Sequence, residues 1–122
     1  MSDIQNQIQE LWERRETLNP EDSDANAVIN EAIELLDQGK VRVAEPNSDG
    51  VIVHEWLKLA ILLLFKQSQM STIEAEPFEF ADKIPLKSNY QNNGVRVVPG
   101  ALARWGSYLA PGVIMMPSFV NI

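Results

Sequence analysis

Residues 95–122 read VRVVPGALARWGSYLAPGVIMMPSFVNI, and the spacing inside this stretch decides the fold. Small residues recur every six positions, at Gly100, Gly106, Gly112 and Ser118. Large apolar residues keep the same step at Leu102, Tyr108, Ile114 and Val120. A third register holds Val97, Ala103, Leu109 and Met115, and a fourth holds Pro99, Pro111 and Pro117, with Trp105 at the missing step. An α-helix would repeat near 3.6 residues, and an isolated strand has no reason for six. A six-residue period is the mark of a parallel β-helix, in which each hexapeptide contributes one short strand and one turn. The expectation is that small residues take the corners and the large ones point into the stacked core.

A solenoid unit cannot bury its own apolar face, so neighbouring coils must cover it. The stretch holds about four hexapeptides and stops at Ile122 in mid-pattern, leaving an unpaired apolar edge. The natural protein is therefore expected to continue beyond Ile122. A native gene product with a mass near 13.7 kDa would contradict that.

Upstream of Val95 the periodicity is helical and then short-range extended. Ile4, Ile8, Leu11, Trp12 and Leu18 fall on one helical face. Ser2 or Asp3 is placed to cap this first helix, and Asn19-Pro20 to end it. Val28, Ile29, Ala32, Ile33, Leu35 and Leu36 mark a second helix, with Gly39 at its C′ position. Val41-Arg42-Val43-Ala44 alternates as a strand does, Pro46 to Gly50 is dense in turn formers, and Val51-Ile52-Val53 is β-branched, which together predict a hairpin. His54 to Gln67 is apolar nearly all round and reads as a buried helix. Its core, Trp56 to Phe65, is far short of the roughly 20 apolar residues a membrane span needs. Ser71 to Asp82 is ambiguous, with a short strand expected at Thr72-Ile73-Glu74. Lys83 to Lys87 is extended around Pro85, and Tyr90 to Gly94 is a polar loop. The fold class expected is α+β: a helical N-terminal domain with a β-hairpin over residues 1–94, then the first coils of a left-handed parallel β-helix over residues 95–122.

Composition narrows the function classes. The 122 residues are 45 % apolar and 22 % charged, which is globular. A formal charge of −7, with scattered Lys and Arg, disfavours nucleic acid and anionic lipid as partners. Without cysteine, disulfides, thiolate zinc sites and thiol catalysis are excluded. The first ten residues carry no apolar signal region, so a cytoplasmic location is expected.

Few side chains here carry chemistry by their own spacing. His54 is the single histidine and has no carboxylate or nucleophile at motif spacing, so it caps or packs the helix that starts there. Neither a metal site nor a calcium loop is expected. The pairs Glu74/Glu76 and Glu79/Asp82 read as solvated charges rather than acid–base carboxylates. Trp12, Trp56 and Trp105 read as core packing. The glycines at 94, 100, 106 and 112 match no phosphate loop. Arg14 and Arg15 are adjacent on a helix, cannot both face the core, and leave one for a surface ion pair.

Six segments in order resemble tetrahydrodipicolinate N-succinyltransferase: Glu13-Arg14-Arg15, Val41 to Glu45, His54 to Lys58 with the apolar run after it, Asp82 to Lys87, Arg96 to Pro99, and Met116 to Ile122. The resemblance spans nearly the whole chain. It implies a homotrimer that transfers succinyl from succinyl-CoA to tetrahydrodipicolinate on the bacterial diaminopimelate route to lysine. Succinyl-CoA is then a co-substrate, with no tightly bound cofactor. The resemblance places a substrate-binding arginine at Arg96, where a guanidinium fork would hold a substrate carboxylate. The bland reading of Arg96 is an exposed arginine entering the first coil. Catalytic residues are expected downstream of Ile122, so this chain alone is expected to be inactive. A reading from another class is a small acidic self-association or interaction module. More hexapeptides after Ile122 favour the enzyme, and a stop codon there favours the module.

Overall fold

The structure, a computed structural model, describes residues 3–122. Three helices form its core: α1 (Asp3–Glu13), α2 (Ser23–Asp37) and α3 (Glu55–Gln67). Each helix pairs with both others. Ile8 and Leu11 of α1, Ile29, Ala32 and Ile33 of α2, and Leu57, Ala60 and Leu63 of α3 bury the shared face. The α1 residues are those the helical spacing picked out. The expected cap Ser2 lies outside the described residues, and Asp3 is the first residue of the helix. The helix also ends earlier than Asn19-Pro20: after Glu13 the chain tightens into a 3₁₀ turn at Arg15–Thr17. There Arg15 Nη1 donates to Trp12 O at 2.7 Å, and its guanidinium lies 4.3 Å from the Trp12 ring centroid. Arg14 and Arg15 reach Glu10 and Glu16 at 3.9 Å each, both at the surface.

Asp22 caps α2 by accepting from Ala25 N at 3.1 Å. At the other end Gly39 takes φ 70°. Gly39 N donates to Leu36 O and Lys40 N to Leu35 O, which is a Schellman closure. On α3 the nearly continuous apolar surface is not wholly covered, since Leu62 stays 52 % exposed.

Two antiparallel hairpins decorate this core. In the first, β1 (Ala44–Asn47) pairs with β2 (Gly50–Val53), with Ala44 opposite Val53. The hairpin was expected, but its first strand starts at Ala44 rather than Val41. Pro46, expected in the turn, sits in a strand of a two-stranded ribbon, where a missing N–H is tolerated at the edge. In the second, β3 (Ser71–Ala75) pairs with β4 (Phe78–Asp82), with Ile73 opposite Phe80. The strand at Thr72 to Glu74 is there; its partner was hidden because Phe78 to Asp82 comes directly after Pro77.

Beyond Gly94 the chain forms short parallel pairs. β5 (Arg96–Val97) pairs with β7 (Ile114–Met115), with Arg96 opposite Ile114 and thus 114 − 96 = 18 residues apart. β6 (Leu102–Ala103) pairs with β8 (Phe119–Val120), with Ala103 opposite Val120 and thus 120 − 103 = 17 apart. Three hexads separate the first pair, and a one-residue slip enters the second. Gly100, Gly106 and Gly112 of the small register take positive φ, as does Gly94 six residues earlier, whereas Ser118, the register's fourth member, does not. The large register does not point inward as expected. Tyr108 and Ile114 are exposed, whereas Ala103, Leu109 and Met115 are buried with Val95 and Ala101. Neighbouring residues of a short strand face opposite sides, so only one of two adjacent apolar registers can be inside. The slip brings Val120 into the inward register, against this second apolar cluster.

Candidate functional site

The last turn of α2 has carbonyls without helical partners, and the chain supplies donors from 50 residues away. Lys87 Nζ donates to Asp37 O at 3.0 Å and to Asp37 Oδ1 at 2.7 Å. The Lys87 side chain is 4 % exposed and that of Asp37 is 18 % exposed, so the pair is largely withdrawn from water. An ammonium at a helix C-terminus also meets the negative end of the helix dipole. The same Asp37 Oδ1 accepts from Gly106 N at 2.9 Å. Asp37 thereby joins α2, the Lys83–Lys87 segment and a corner of the parallel region.

The 85–87 segment is laced to that region by its backbone. Lys87 N donates to Ala103 O at 2.8 Å and Trp105 N to Pro85 O at 3.0 Å. Trp105 Nε1 donates to Glu34 Oε2 at 3.0 Å, while Gln38 Nε2 donates to Glu34 Oε1 at 2.8 Å. Trp105 therefore packs against the helical core, as its apolar body predicts, and also orients a carboxylate. Tyr108 lies on Gly39 so closely that a Cβ there would stand 2.7 Å from its ring, and the Arg42 guanidinium sits 4.2 Å from the ring centroid. Burial raises the Tyr90 hydroxyl above its ordinary pKa of 10.0, the Asp37 charge adds to this, and a backbone hydrogen bond at Ala103 opposes it.

These contacts frame a cleft of about 840 Å³ between the C-terminal end of α2, residues 86–94 and residues 105–111. Glu34, Asp37, Lys87, Asn93, Trp105 and Tyr108 are among its walls. The size suits a small-molecule site. Its acid–amine pair, Asp37 with Lys87, is committed to holding the walls together.

The residues singled out by sequence fall elsewhere. Arg96 is exposed on β5 and does not line the cleft. Among the described residues its side chain makes no hydrogen bond or ion pair. His54 is the N-cap residue of α3 without a side-chain cap, and its Nε2 stands 2.8 Å from Glu45 Oε1 across the first hairpin. It has a carboxylate partner after all, nine residues away, brought there by the strand pairing. Glu74 and Glu79 face one another on the second hairpin and are solvated as expected. Asp82 is not: its Oδ2 accepts from Arg104 Nη2 at 2.8 Å. The Lys83 N–H donating to Asp82 Oδ1 holds this carboxyl below its ordinary pKa of 3.8, partial burial works the other way, and Arg104 lowers it further. Among the described residues no group of three or more His, Asp or Glu is close enough to hold a metal ion. No helix among them is long and apolar enough to cross a membrane.

Sequence reading missed Glu34, Asp37 and Lys87 as a constellation. The Gly39 signal marked where α2 ends, but nothing local says which residue closes over that end.

An α+β helical module joined to a run of parallel strand pairs is the class of structure this chain defines. Residues 3–66 match the family described as tetrahydrodipicolinate N-succinyltransferase N-terminal. The chain is 43 % identical to the 2,3,4,5-tetrahydropyridine-2,6-dicarboxylate N-succinyltransferase of Bordetella petrii, over 98 % of this chain and 47 % of the relative. It is 43 % identical to the enzyme of that name in Aeromonas hydrophila, over 98 % of this chain and 46 % of the relative. For the protein of that name in Parvibaculum lavamentivorans the identity is 40 %, over 100 % of this chain and 47 % of the relative. The chain belongs to the tetrahydrodipicolinate N-succinyltransferase family, and it spans about half the length of the curated relatives it matches.

Proposed function

We propose that this chain is the N-terminal part of an enzyme that transfers succinyl from succinyl-CoA to tetrahydrodipicolinate, on the diaminopimelate route to lysine. The observation that carries the reading is the match itself: about 40 % identity to succinyltransferases over the whole of this chain. In this reading residues 1–94 form the α+β domain and residues 95–122 open a left-handed parallel β-helix. The 18-residue step between β5 and β7 supports one coil of three hexapeptides, and the division is supported by the buried members of the two apolar clusters, which end at Ile84 in the first and begin at Val95 in the second, although Trp105 and Ile122 also pack on the first. The complete enzyme is a cytoplasmic homotrimer, with succinyl-CoA as co-substrate rather than a tightly bound cofactor.

The chemistry asks for a positioned amine, a thioester within reach and a group to move protons. CoA carries the acyl group and the protein orients it. Arg96 holds a substrate carboxylate; its exposure, and its having no hydrogen-bond or ion-pair partner among the described residues, leave its donors available for that role. The groups that move protons lie beyond Ile122. The test is CoA release from succinyl-CoA with tetrahydrodipicolinate, comparing this chain with the full-length gene product. Release by the full-length protein alone is the expected result, and inactivity of both would overturn the assignment.

A further inference from the structure

The turn that leads into the parallel region carries the one Asn-Gly step of the sequence, Asn93-Gly94. Asn93 is exposed and lies outside every helix and strand. Its carboxamide makes no hydrogen bond among the described residues, so nothing holds it away from the next backbone nitrogen. Gly94 has no Cβ to block that approach. Its N–H is held by a single turn bond, to Gln91 O at 3.1 Å. Bonds of this kind open locally at an exposed turn. No other asparagine combines these features. Those of α1 and α2 sit in helical backbone, and Asn19 precedes a proline, which has no N–H. Asn89 and Asn92 are bonded to one another, Asn47 accepts from Asp49 N, and Asn121 accepts from Arg104.

We propose that Asn93 is a site of covalent self-modification, at which water converts the carboxamide to aspartate and to isoaspartate and so loosens the entry to the first coil. Hydroxide from solvent takes the Gly94 amide proton, and the freed nitrogen attacks Asn93 Cγ. The new N–Cγ bond closes a succinimide ring, the Cγ–Nδ2 bond breaks, and ammonia leaves with a proton from water, which restores the hydroxide. A water molecule then opens the ring. Opening at Cγ returns the ordinary backbone with an aspartate side chain. Opening at the backbone carbonyl carbon routes the chain through Cγ and gives isoaspartate. The sum consumes water and releases ammonia, with nothing oxidised or reduced. Isoaspartate adds a methylene to the main chain inside a turn that Val95 N closes by donating to Tyr90 O at 3.0 Å. Just beyond it, Gly94 O accepts from Gly112 N at 2.8 Å, Val95 is buried in the second apolar cluster, and Arg96 opens β5. A longer turn cannot keep all of these in place. The inference does not depend on the transferase reading.

The experiment ages the intact gene product in mildly alkaline buffer and maps its peptides by mass spectrometry, with fragmentation that separates aspartate from isoaspartate. The expected result is amide-to-acid exchange at Asn93, in both product forms, about tenfold or more faster than at Asn47, Asn89, Asn92 or Asn121. Hydrogen–deuterium exchange then reads the consequence. Peptides starting at Val95 lose protection as isoaspartate accumulates, while peptides of α2 and α3 keep theirs. Asn93→Gln, aged in the same way, is expected to show neither the conversion nor the loss. Asn93→Asp supplies the added charge without the longer backbone and is expected to keep protection at Val95 when fresh. Conversion at Asn93 no faster than at the other asparagines would overturn the proposal, as would full protection at Val95 in the isoaspartate form. So would equal loss in aged Asn93→Gln or in fresh Asn93→Asp. Mass and exchange are read without CoA release, so failure here leaves the transferase reading standing, and the reverse.

Discussion

Lys87 closes over the end of α2 by placing its ammonium 2.7 Å from Asp37 Oδ1, although the two residues are 50 positions apart. The ion pair is nearly dry, and Asp37 also holds the Gly106 N–H. Removing one partner from such a pair leaves a buried charge without compensation, at a cost of about 3–5 kcal/mol. Asp37→Ala is therefore expected to lower the urea midpoint sharply, and Asp37→Leu combined with Lys87→Met to lose less than Asp37→Ala alone. A double variant as unstable as the single one would show that the contacts around the pair, and not its charge balance, matter.

Gly39 and Tyr108 form a second long-range joint. A methyl group at Gly39 would meet the Tyr108 ring at 2.7 Å, and φ 70° disfavours any side chain there. Gly39→Ala is expected to cost about 1–3 kcal/mol. Tyr108→Ala in the same background should recover the steric part and leave the backbone part, which a double-mutant cycle by thermal denaturation separates.

The pH dependence of stability has one acid-side contributor with a clear sign. The folded-state pKa of Asp82 lies below its ordinary 3.8, so the folded protein binds this proton less readily than the unfolded chain. Its contribution is fully present above that ordinary value and is lost as pH falls through the lower folded pKa. Asp82→Asn is expected to flatten that part of the acid limb in denaturation curves between about pH 5 and pH 2. An unchanged acid limb would dismiss the contribution.

On the alkaline side, Tyr90 titrates above 10.0 because it is partly buried. Here the folded state holds the proton more tightly, so the contribution is present below about pH 10 and is lost as pH rises through the folded pKa. Ultraviolet difference titration should show a late-ionising tyrosine that disappears in Tyr90→Phe.

Arg96→Lys tests the proposed carboxylate contact in the full-length enzyme. Loss of the bidentate fork is expected to raise the KM for the dicarboxylate about tenfold, equivalent to about 1.4 kcal/mol, with kcat little changed. Unchanged KM would assign Arg96 to the surface.

Much of this architecture was legible from local pattern. The first two helices follow 3.6-residue spacing and the third a nearly continuous apolar run, and Gly39 announced the end of α2 because only a left-handed residue closes that turn cheaply. The six-residue step was legible because small residues recur at that spacing, and the glycines among them carry positive φ. The family was legible because its segments keep their order along the chain.

Other features lay beyond any local pattern. Both Leu102–Tyr108–Ile114 and Ala103–Leu109–Met115 are apolar registers, and a short strand turns one in and the other out; only the packed structure shows which. The His54–Glu45 contact arises from strand register, and the Asp82–Arg104 pair from the meeting of two elements. The cleft depends on Glu34, Asp37, Lys87 and Trp105 arriving together from separate segments. Sequence alone determined the periods, the turns and the family, because these rest on neighbouring residues and their backbone angles. Tertiary structure decided the inward face, the ion pairs and the cleft, because charge and burial act through space between residues that the chain keeps far apart.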